Sequence, residues 1–70
     1  MPANQKYSGR IHTKRQLGRA VEHIQATAIV LSEVGPRYQD ASPVVSNACK
    51  SMLVMTVMIE NMLLEIRDNL

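Results

Sequence analysis

Trp and Phe are absent from this sequence, and Tyr7 and Tyr38 are its only aromatic residues. Its core must be aliphatic, with five Met as polarizable, adaptable filler. A single cysteine, Cys49, excludes an internal disulfide, and no Cys/His spacing marks a metal site. A Walker loop, a dinucleotide-binding glycine pattern and an HExxH zinc helix are also missing. His12 and His23 invite comparison with the acid and base of a nuclease, but neither has an orienting carboxylate. Adjacent Glu22 points elsewhere on a helix. Cys49 reads as a small core residue, and Ser46, Ser51 and Thr56 as helix surface or packing residues. The expectation is a non-enzyme with no cofactor and no bound metal.

Two further absences bear on location. The stretch from Met1 to Thr13 is charged and has no apolar core of the kind a secretory signal needs. A membrane span needs roughly 20 predominantly apolar residues, and the longest apolar run here is fenced by Lys50 and by Glu60-Asn61. Together with the lone thiol, this points to a cytoplasmic protein off the membrane.

What is present is an unusually greasy segment. From Met52 to Ile59, seven of eight positions are apolar. A helix that is apolar all round must be covered on every side, and this chain offers one other helix to cover it. A chain of 70 residues is also marginal alone, burying only about 60% of its unfolded surface. Without a disulfide or metal, self-association is the remaining source of stability.

Charge is lopsided. Lys6, Arg10, Lys14, Arg15 and Arg19 give the first nineteen residues five cations and no acid. From Ala20 onward, Arg37, Lys50 and Arg67 face Glu22, Glu33, Asp40, Glu60, Glu65 and Asp68. A basic head on a mildly acidic body suits a polyanionic partner or an acidic neighbour in an assembly.

Residues 1–12, with Pro2, Asn4, Gln5, Ser8 and Gly9, show no apolar period and read as a basic arm. Thr13-Lys14-Arg15-Gln16 has capping-box spacing, which predicts a helix over about 13–35. Its seam is Leu17, Val21, Ile24, Ala28 and Leu31, with Gly18 as a sign of close backbone approach. Gly35-Pro36 predicts the stop, with Gly35 left-handed. After a loop from Arg37 to Ala41, Ser42-Pro43 predicts a second start, giving a helix over about 42–68. Val45, Ala48, Met52, Met55, Ile59, Met62 and Ile66 form its seam. Leu53, Val57 and Leu64 lie on one flank, Val54 and Met58 on the other. One seam is expected to pair with the first helix, while the flanks need other copies. The expected fold is all-α: an antiparallel two-helix hairpin with an N-terminal arm, assembling into a homo-oligomeric helical bundle or ring. Met52, Leu53, Met55, Val57, Met58, Ile59 and Met62 are the expected interface.

Both tyrosines follow a cation, as Lys6-Tyr7 and Arg37-Tyr38. Tyr beside Lys or Arg can stack on a base while its neighbour holds phosphate. Each ring equally suits packing on a helix end with its hydroxyl in water. His12, Arg15, Arg19 and His23 share one helical face. With the free N–H groups expected at Thr13 to Gln16, they form a candidate anion site or an ordinary solvated face.

A short hairpin with an aromatic, basic arm and a second helix rich in small residues and Met, as in Ser46-Asn47-Ala48-Cys49-Lys50-Ser51-Met52, resembles the hairpin of phage anti-defence sponges of the anti-CBASS and anti-Thoeris type. The likeness is one of pattern and covers roughly half the chain. It implies rings that sequester a cyclic-nucleotide immune signal without degrading it, with Lys6, Tyr7, Arg10, Lys14 and Arg15 as base-stacking and phosphate-binding residues. The resulting candidate ligand set is Lys6, Tyr7, Arg10, His12, Lys14, Arg15, Arg19, Arg37 and Tyr38. An anionic small molecule is the favoured partner. An RNA- or DNA-binding helical-bundle dimer is the second reading. The third is a protein inhibitor or assembly adaptor, docking a partner helix around Val54 and Met58.

Overall fold

The computed structural model describes the backbone of residues 3–70 and the side chains of residues 9–70. Two helices, α1 (Ala3–Arg37) and α2 (Pro43–Asp68), pack side by side as a hairpin. At 1.5 Å per residue they are about 50 and 40 Å long, in a rod measuring 59 × 15 × 14 Å.

Helix α2 starts where the sequence places it. Ser42 is the N-cap, its side chain accepting from the Val45 N–H at 3.4 Å, and Pro43 takes the first helical position, where no N–H is needed.

Helix α1 does not start at Thr13; it already runs from Ala3. The capping-box residues are helix interior, and the Thr13 hydroxyl donates back to the Gly9 carbonyl at 2.7 Å. Thr in mid-helix has that outlet, so the spacing alone does not require a start. Gln and Lys before Gly9 are good helix formers, which supports the extension.

At the other end, α1 runs to Arg37 with Pro36 in its last turn. Gly35 has no positive φ, so its value is steric rather than conformational. A Cβ placed on Gly35 would lie 3.2 Å from the Cβ of Cys49. Gly18, expected at a close approach, would place a Cβ with no neighbour within 4 Å among the described residues.

The α1 seam is as expected: Val21 is buried, and Leu17, Ile24, Ala28 and Leu31 are half-buried. The α2 seam is not. Its inward row is Ser46, Cys49, Leu53, Thr56, Glu60, Leu63 and Arg67, each buried or half-buried. The wholly apolar row, Val45 to Ile66, lies one residue earlier at every step, hence about 100° round the helix, and is exposed throughout. Leu53 and Leu64, expected on a flank, are half-buried in the hairpin.

The reason is size. Ser46 and Cys49 let α2 come close to Gly35, where an added Cβ would lie 3.2 Å from the Cys49 Cβ and 3.9 Å from the Ser46 carbonyl, whereas Met and Ile would hold the helices apart. Thr56 satisfies its hydroxyl on the Leu53 carbonyl at 2.6 Å, while the Ser46 hydroxyl, 2% exposed, has no hydrogen-bond partner among the described residues.

The close seam buries little apolar surface. Val21 and Cys49, at 7% and 6% exposure, are the only buried apolar side chains among the described residues. The chain exposes 5506 Å², against about 4,400 Å² for a compact protein of its mass.

The two glycines should answer alanine substitution oppositely. Gly18→Ala is expected to stabilise by up to about 1 kcal/mol, the helix-propensity gain. Gly35→Ala should lower the melting temperature, because prising packed groups apart costs about 1–3 kcal/mol. Thermal unfolding followed by circular dichroism reads both, and equal gains would refute the close approach.

Candidate functional site

The register places the cations. Gly35 meets Cys49 near the loop, and the Gln25 amide donates to Glu60 at 3.0 Å farther along. Continued outward, this antiparallel register brings Leu70 level with about Lys14, so α1 before that point runs past the end of α2. The stretch read from sequence as an arm is thus a helical overhang from Ala3.

Arg10, His12, Lys14, Arg15 and Arg19 are exposed at this end, and Arg10 takes part in an interaction within the structure. His12, Arg15, Arg19 and His23 are all exposed along one face of α1, turned away from the α1 seam. Lys6 and Tyr7 lie on the α1 backbone, but their side chains fall outside the described residues. Arg37 and the 42%-exposed Tyr38 sit at the opposite, loop end. Lys14 and Arg37 are separated along α1 by about 35 Å at helical rise.

One chain therefore does not bring the two halves of the candidate ligand set together. No pocket is formed among the described residues, nor any His/Cys/Asp/Glu group able to hold a metal. The helix-start anion site at Thr13 to Gln16 is also corrected. Those N–H groups lie inside α1 and are engaged in its ladder.

Of the expected interface residues, Met52, Met55, Val57, Met58, Ile59 and Met62 are exposed and Leu53 is not. Val54, the expected docking point of a partner helix with Met58, is exposed too. Ile29 and Val30 on α1, each more than half exposed, were not singled out by periodicity because they lie off its seam. Their aliphatic character against a polar face was the available signal. Among the described residues, no helix is long and apolar enough to cross a membrane. The chain matches no family model, no curated protein and no solved structure.

Capping distinguishes the two helix starts. Ser42→Ala should cost about 1 kcal/mol, as loss of a working N-cap does. Thr13→Ala is expected to be neutral or slightly stabilising, since Ala is the better interior helix former. Chemical denaturation of the two variants reads the difference. A cost at Thr13 equal to that at Ser42 would restore the helix start at 13.

Proposed function

We propose that this protein is a non-enzymatic binding protein that self-associates through the exposed face of α2 and holds a phosphate-bearing ligand at subunit junctions. The observation that carries the reading is the apolar row Val45, Ala48, Met52, Met55, Ile59, Met62 and Ile66, exposed along the length of α2. Contiguous apolar surface of that extent marks an interaction site. The cations concentrated at one end of α1 supply the ligand preference.

In its most specific form the ligand is a nucleotide immune signal, sequestered rather than degraded, as the likeness to phage anti-defence sponges suggests. Lys6, Arg10, Arg15 and Arg37 would hold phosphates while Tyr7 and Tyr38 stack on bases. A second reading, RNA or DNA binding, is favoured by one feature. The cations follow a projecting helix rather than lining a hollow, which suits a phosphate backbone.

Native mass spectrometry of protein purified gently from a nucleotide-rich lysate separates these readings. A closed oligomer carrying nucleotide-sized masses is expected for sequestration. In that case Tyr7→Ala should weaken binding at least tenfold while leaving subunit number unchanged. Unchanged affinity would remove the stacking role. Binding that falls steeply with salt and covers many nucleotides would assign the protein to nucleic acid, because counterion release scales with the phosphates neutralised.

A further inference from the structure

We propose that the basic overhang of α1 enters the major groove of duplex DNA, setting one row of cations against each of the two phosphate strands that border the groove. The inference rests on the nucleic-acid reading, names the polyanion, and needs no second copy of the chain.

The first observation is shape. From Ala3 to about Lys14, α1 runs on as regular helix beyond the end of α2, over about 18 Å of rise. Between them α1 and α2 are the only elements, so no other one flanks this stretch among the described residues. A bare helix is about 10–12 Å across with its side chains, and the major groove of B-form DNA is about 12 Å wide. The deep, narrow major groove of an RNA duplex is closed to it.

The second observation is how charge is distributed around the helix. Arg10 and Lys14 are one turn apart, and so are Arg15 and Arg19. Five residues separate the two pairs, so the second row lies about 140° round the helix from the first. Arg10 and Lys14 continue the seam of Val21 and Leu17 backwards by steps of three and four. They therefore lie on the side where α2 packs farther along, in the space beyond its end. Arg15 and Arg19 lie on the outward face. All four are exposed, and Lys14, Arg15 and Arg19 carry no ion pair among the described residues. Cations on one face of a helix suit a flat anionic surface. Cations on two sides suit a cleft with anions on both walls, which a duplex groove supplies.

The third observation is where the acids stand. No Asp or Glu precedes Glu22. Glu65 and Asp68 are exposed in the last turns of α2, and their charge repels phosphate from the packed part of the rod. The strands are thereby held to the overhang and the outer face of α1. Single strands match less well, since their binders stack successive bases on several aromatic rings. Tyr7 and Tyr38, far apart along the rod, are the only rings in the chain.

Fluorescence anisotropy with a labelled DNA duplex, set against the RNA duplex and the DNA single strand of the same sequence, reads the site. The DNA duplex is expected to bind at least tenfold tighter than either at low salt. Lys14→Gln from one row and Arg15→Gln from the other should each weaken duplex binding several-fold and reduce the slope of log affinity against log salt by about one. Lys50→Gln, on α2 and away from both rows, should change neither. Thr13→Pro separates shape from charge, because an interior proline kinks or breaks a helix while net charge stays the same. It should lower duplex affinity at least fivefold, with circular dichroism confirming that the hairpin still folds. Equal or tighter binding of the RNA duplex or the single strand would overturn groove entry, as would a folded Thr13→Pro variant that binds as tightly as the unaltered protein. Either result would leave a general nucleic-acid-binding head. Weakening by only one of the two glutamine variants would overturn the two-walled arrangement. No binding of any of the three nucleic acids at low salt would refute the nucleic-acid reading itself.

Discussion

The closeness of the two helices near the loop governs the rest of the molecule. A Cβ on Gly35 would crowd Cys49 at 3.2 Å, so the close approach there favours small residues on the inward side of α2. Once Ser46 and Cys49 face α1, helical geometry fixes the remainder of the row, through Thr56 to Arg67. The same rotation carries every Met and Ile of the neighbouring row out of the hairpin. A chain with ample apolar side chains thus buries few of them by itself. Exposure of the α2 face is the direct result of how α1 and α2 approach each other.

Much of this was legible in the residues. Helix content, the hairpin, the Ser42-Pro43 start and the α1 seam all follow from local rules that depend on a few neighbouring positions. The α2 row that faces α1 was misread because apolar periodicity ranks rows by hydrophobicity, while close packing ranks them by size. Two rows one residue apart both carry a heptad repeat, and the greasier was chosen. The start of α1 was misread for a related reason. Thr13 and Gln16 satisfy a capping pattern, but a hydroxyl that can bond to Gly9 four residues back sits equally well within a helix.

The candidate ligand residues illustrate a different boundary between sequence and structure. Their identities and their clustering near the head are plain from composition. Their separation into two groups at opposite ends of the rod is a matter of length, which residue lists do not convey. An overhang of α1 beyond α2 sets where the head can meet anything else. Its charge and its reach come from the same dozen residues.

The exposed face of α2 also has a redox dimension. Met52, Met55 and Met62 of the row and Met58 on its flank are each at least 47% exposed in the single chain. Thioethers open to solvent are readily converted to sulfoxides, which are polar and fit poorly in apolar interfaces. Oxidation of an uncovered copy would therefore remove the apolar character on which the proposed association depends. Association through this face, as proposed, would shield those sulfurs, so an assembled copy would keep its capacity to assemble and a solitary one would forfeit it with time.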